Sequence, residues 1–133
     1  MKTITKIINK YKDTKFIWGE LDCCIFSISI LEEYNNVVFP LWRDVLDYKN
    51  HNEALLALKK LGCNTLEDLP SIILGTPRKE IIDVKHGDAV YYINEDGIGI
   101  FGICNGIRAY FLQKNGGLTA RSIFDCKYAW SAK

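Results

Sequence analysis

Apolar positions recur at helical spacing through the first half of the chain. Ile4, Ile7, Ile8 and Tyr11 fall at i, i+3, i+4 and i+7 with lysines on the other face, which predicts an amphipathic helix over residues 2–12. From Cys23 to about Glu33, Cys24, Ile28 and Leu31 form one stripe, widened by Ile25, Phe26 and Ile30. A helix this apolar must be covered on most of its circumference, so it is central. Asn35-Asn36 ends it, and Pro40 breaks the chain again before a short turn with Trp42, Val45 and Tyr48. Asn52 is the expected cap of a third helix, with Ala54, Leu55, Leu58 and Leu61 as its apolar face and Gly62 as its stop. Thr65-Leu66-Glu67-Asp68 has the form of a capping box opening a short helix around Leu69 and Ile72. Pro77-Arg78-Lys79-Glu80 reads as a polar loop that closes the helical half.

From Gly87 the period changes. Ala89–Ile93 is rich in strand formers, Asn94-Glu95-Asp96-Gly97 is a hairpin turn, and Ile98 to Cys104 is a second strand. Asn105-Gly106 is a two-residue turn leading into a strand from Ile107 to Gln113, and Asn115-Gly116-Gly117 turns into another around Leu118 to Ile123. A last short element runs from Cys126 to Trp130. The expected fold class is α+β: N-terminal helices packed on one side of a C-terminal antiparallel β-meander. The expected organisation is a single domain over 1–133, with a helical half 1–76 and a β half 86–133.

Composition narrows the partners more than the fold. With 48% hydrophobic and 25% charged residues the chain has the make-up of an ordinary globular domain rather than a disordered tail. Its 17 basic and 16 acidic residues nearly cancel, so nothing calls for nucleic acid or an anionic membrane as partner. The opening MKTITKIINKYKDTK has no apolar run of signal-peptide length, and no stretch reaches membrane-span length, which points to synthesis in a cytoplasm without a signal peptide. Five cysteines are an odd number, so free thiols are expected rather than a disulfide framework. None forms a C-x-x-C pair and neither His51 nor His86 has a second ligand at metal spacing, so no metal and no cofactor is expected.

The chemistry concentrates in Trp18-Gly19-Glu20-Leu21-Asp22-Cys23-Cys24-Ile25-Phe26. Asp22 suits an N-cap, which puts Cys23 at a helix N-terminus, where unpaired N–H groups and the helix dipole favour the thiolate. Cys23 is therefore the candidate nucleophile, while Cys24, about 100° further round the helix, turns toward the core. His86, just before the first strand of the meander, is the candidate base, and His51, in a polar run, is a second one. Trp18, Trp42 and Trp130, with Tyr91, Tyr92, Tyr110 and Tyr128, are candidates for a groove or for core aromatics. Arg108 and Arg121 read as ordinary solvated positions.

Trp18-Gly19, Asp22-Cys23 heading a buried helix, and Gly87-Asp88 opening a β-meander together resemble the NlpC-type cell-wall cysteine peptidases, compact papain-like hydrolases of peptidoglycan peptides. The resemblance spans about residues 16–113 and makes Trp18, Gly19 and Asp22 candidate binding residues. Cys24 following Cys23, and the run Gly102-Ile103-Cys104, are similar to a small branch found in phage and prophage tail gene clusters. That branch implies a virion tail location after synthesis in the host cytoplasm, with other virion tail proteins as partners. The peptidases carry a histidine base in a His-Val-Gly-Ile strand, and here that position is Ile100; the orienting polar residue falls on Leu112, with Gln113 beside it. A thiol needs a base oriented by a third group to attack a peptide. The resemblance thus implies a peptidase-like fold without peptidase activity, serving tail structure or assembly by protein binding. Its alternative is an active peptidase or amidase on peptidoglycan peptides, using Cys23 with a displaced histidine and backbone N–H groups at the helix start. A third reading is a regulatory or toxin-associated domain of the same fold.

Overall fold

The computed structural model describes residues 3–40 and 47–132; the expected turn residues Trp42 and Val45 lie outside them. Helix α1 (Ile4–Asn9) starts at Thr3, whose hydroxyl accepts the Lys6 N–H at 3.2 Å, and it buries Ile4, Ile7 and Ile8 as the spacing predicts. Helix α2 (Cys23–Asn35) buries Ile25, Phe26, Ile28, Ile30 and Leu31 and ends where Asn36 turns left-handed at φ 52°. It packs on α1 and chiefly on the middle of the sheet, which accounts for its almost unbroken apolar surface.

Helix α3 (His51–Lys60) is capped by Asn50, not Asn52. Asn50 Oδ1 accepts the Glu53 N–H at 2.9 Å while Glu53 Oε1 accepts the Lys49 N–H at 3.0 Å, a reciprocal pairing that Asn52 could not close. Its expected apolar face is only partly covered: Ala54, Leu58 and Leu61 are half-buried and Leu55 is 45% exposed, while the buried residue of the helix, Ala57, lies outside that face. The capping box does form, with Asp68 Oδ2 accepting the Thr65 N–H at 3.1 Å, and it opens a 3-10 turn (Leu66–Asp68) followed by helix α4 (Leu69–Leu74).

Six strands follow: β1 (Lys79–Glu80), β2 (Ala89–Ile93), β3 (Gly99–Asn105), β4 (Arg108–Leu112), β5 (Leu118–Ser122) and β6 (Tyr128–Trp130). Their spatial order is β1-β6-β2-β3-β4-β5, and every pairing is antiparallel. The expected α+β class is what the chain adopts, with differences in detail. β6 does not extend the meander but returns to the free edge of β2, and Lys79–Glu80, expected as loop, pairs with it as the edge strand. The β3–β4 turn also falls one residue later, on Gly106-Ile107, because Asn105 pairs with Arg108. Asp88 anchors this edge: buried, it accepts from Lys79 Nζ (2.6 Å), Ser131 Oγ (2.7 Å) and the Lys85 N–H (2.8 Å).

The sheet has a core on each face. Ala89, Tyr91, Phe101, Ile103 and Trp130 face the helices, whereas Val90, Tyr92, Cys104, Ala109, Phe111 and Ala129 form a second core with Ile123 and Cys126 of the last loop. The second face is concave. Tyr92 on β2 and Arg121 on β5 lie three strands apart, about 14 Å on a flat sheet; here the guanidinium carbon is 4.7 Å from the tyrosine ring centre. Gly102 permits the curl: a Cβ there would stand 2.4 Å from both the Phe111 ring and the Tyr110 carbonyl.

Candidate functional site

Asp22 sets the geometry at the start of α2. It is 2% exposed, and its carboxylate accepts from the Ile25 N–H (Oδ1, 3.0 Å), the Gly19 N–H (Oδ2, 3.2 Å) and the Tyr48 hydroxyl (Oδ2, 2.5 Å). A tight turn from Ile17 to Leu21, with Gly19 at φ 77°, delivers the chain to this cap. Fully engaged in this way, Asp22 holds the helix start and the Tyr48 segment together.

Cys23 faces a split in the sheet. β3 pairs with β4 only over Ile103–Asn105, whereas β4 continues alongside β5 to Leu112, so among the described residues Gly99–Gly102 have no ladder partner on the β4 side. The Cys104 N–H donates to the Asp88 carbonyl. Bonded and non-bonded pairs alternate along an antiparallel ladder, so Phe101, opposite Tyr91, turns its N–H away from β2 and into the split. There it meets the sulfur. The Cys24 thiol donating to Cys23 is the largest influence on Cys23, and the Phe101 amide adds to it; against burial and the nearby Asp22 carboxylate, the net effect lowers the Cys23 pKa. Cys24 moves well up in return, first because it is the donor and then because it is buried.

An open, largely apolar cavity of about 700 Å³ adjoins this thiol. Its walls include Trp18 before α2, Leu55 and Leu58 of α3, Ile73 of α4, and Ile100 and Phe111 of the sheet. Leu112 and Gln113 line it too. Ile100 points to the concave face, its neighbour Phe101 to the helices.

The two histidines separate. His51, at the first position of α3, lines the cavity with its ring 5.9 Å from that of Trp18. His86 does not come to Cys23. It accepts the Gly106 N–H through Nδ1 at 3.1 Å and lies against Tyr34, near the far end of α2, because β2 begins at the opposite end of the helix from the cysteine. The proposed Cys23–His86 pairing is corrected on that ground. Trp18 and Asp22 line the cavity, while Gly19 shapes the turn behind them. Trp130 is core, fully buried with its Nε1 donating to Ser71. Among the described residues, no group of three or more His, Cys, Asp or Glu side chains is placed to hold a metal.

Two participants were not legible as such in the sequence, whereas His51, the second candidate base, does line the cavity. Tyr48 reaches Asp22 across 26 positions, which no local pattern encodes. Arg121, expected to be solvated, lines the cavity with its Nε buried and unpartnered. Its alternation with Ala120 on a strand signals that it faces one side of the sheet, but the curl that folds that side over is a tertiary effect.

The fold is similar to that in the crystal structure of the NlpC/p60 domain of the peptidoglycan hydrolase SagA. The two share 15% sequence identity with a TM-score of 0.58, over 97% of this chain and 96% of that one. No curated protein matches the chain. Residues 1–132 match the family described as a domain of unknown function, DUF6950, and the chain belongs to that family.

Proposed function

We propose that this protein is a phage-type tail component that keeps the peptidase-like fold as a binding scaffold, holds a peptide segment of a partner tail protein in the Cys23 cavity, and does not hydrolyse peptide bonds. The observation that carries the reading is the set of groups around the thiol. The partners that lower the Cys23 pKa are the Cys24 thiol and backbone amides, and Ile100 and Leu112 border the cavity where the peptidase pattern carries a base and its orienter. The groups that lower the Cys23 pKa favour a thiolate but include no histidine to protonate a leaving amine, which acyl transfer from a peptide requires. The tail assignment rests on the resemblance of Cys23-Cys24 and Gly102-Ile103-Cys104 to the tail-cluster branch.

The test is release of soluble muropeptides from purified peptidoglycan. The expected result is no release above that of Cys23→Ala, and this chain recovered from purified tail particles by mass spectrometry. Release by the native protein that disappears in Cys23→Ala would overturn the inactive reading, and absence from the particles would overturn the tail role.

One observation favours a second reading, an active peptidase or amidase that opens peptidoglycan as a tail crosses the wall: His51 lines the same cavity as a thiol whose pKa is lowered. In that case His51→Ala abolishes muropeptide release as completely as Cys23→Ala.

A further inference from the structure

The guanidinium of Arg121, half-buried with 35% of its side chain exposed, is under-used. Its Nε is buried without a hydrogen-bond partner, its face lies on Tyr92, and its ion pair is a single 3.4 Å approach of one terminal nitrogen to Glu95 Oε1. A bidentate arginine–carboxylate pair closes to about 2.7–2.9 Å on two nitrogens. Glu95 is a poor permanent partner: it sits in the turn after β2, is 74% exposed, and also accepts from the Tyr92 hydroxyl at 3.3 Å. Arg121, Tyr92 and Glu95 all line the cavity that reaches Cys23.

We propose that Arg121 is a carboxylate subsite of this cavity and that its ligand is a peptide ending in a free carboxylate after apolar residues, with Glu95 as an exchangeable stand-in for that carboxylate. The proposal rests on the reading of the cavity as a peptide-binding site. Apolar walls from Leu55, Leu58, Ile73, Ile100 and Phe111 suit apolar side chains. Gln113, Asn115 and Thr119 on the same walls offer donors and acceptors for backbone amides, which a fatty acid of the same charge would not use.

Calorimetric titration with acetyl-Leu-Leu as the free acid and as its C-terminal amide tests this. The acid is expected to bind at least tenfold more tightly than the amide. Arg121→Gln removes that preference while leaving amide binding within about twofold, Arg121→Lys keeps part of it, and Glu95→Gln enlarges it. Equal affinity for acid and amide in the native protein, or a preference that survives Arg121→Gln, overturns the subsite and leaves the peptide-binding reading standing. Binding of neither form overturns that reading, and the subsite with it. Decanoate is expected to bind more weakly than the acid peptide, and tighter binding would overturn the choice of a peptide.

Discussion

At the scale of single residues, Cys23 owes its character to its immediate neighbours. The Cys24 thiol is its main stabilising partner, with the helix start and the Phe101 amide supporting it. Cys24→Ala is therefore expected to shift the pH midpoint of Cys23 alkylation upward, while Cys24→Ser, which keeps a donor, stays close to the native value; peptide mass spectrometry resolves the two positions. An unchanged midpoint in Cys24→Ala would contradict this. Asp22 carries more stability than a surface cap. Asp22→Ala loses a cap worth about 1 kcal/mol and leaves the buried Tyr48 hydroxyl and the Gly19 N–H without their acceptor, for a total of about 2–5 kcal/mol by urea denaturation. The cap was legible, since Asp before an apolar helix carries its own signal. Its bond to Tyr48 was not, because a contact across 26 positions leaves no local pattern.

At the scale of elements, the patterns that fixed type were stronger than those that fixed partners. α1, α2 and the β2–β5 meander follow from periodicity and turn residues alone. The return of β6 to β2, and the edge pairing of Lys79–Glu80, depend on which sheet edge is open, and strand propensity does not record that. The same limit explains His86. Adjacency to the start of β2 brings His86 no nearer to the cysteine, because the direction of that strand carries it to the other end of α2. Curl of the sheet makes Gly102 sensitive: the Cβ of Gly102→Ala would overlap backbone as well as the Phe111 ring, and a loss of about 1–3 kcal/mol is expected in urea denaturation. A variant as stable as the native protein would show that the Tyr110 carbonyl and the Phe111 ring can draw back from Gly102 at little cost.

At the scale of the whole molecule, most thiols are protected rather than reactive. Burial raises the pKa values of Cys63, Cys104 and Cys126, the last to about 12, and donation to Cys23 together with burial raises that of Cys24. The unfolded chain loses these protons near 8.5 while the folded chain keeps them, so the unfolded state binds fewer protons and stability falls as pH rises above about 8.5. For Cys126 the fall continues to about pH 12. The lowered pKa of Cys23 acts in the opposite sense, adding stability above its folded value. The urea midpoint is thus expected to be lower at pH 10 than at pH 7.5, with a shallower drop in Cys126→Ala. The reading of this peptidase-like molecule as a binding scaffold turns on whether any histidine works with Cys23, and the most direct measurement is the pH dependence of Cys23 alkylation in the native protein and in His51→Ala. The account predicts a midpoint below the ordinary value of about 8.5 in both, unchanged by the substitution. A midpoint that moves by a pH unit or more when His51 is removed would reveal a working cysteine–histidine pair and contradict it.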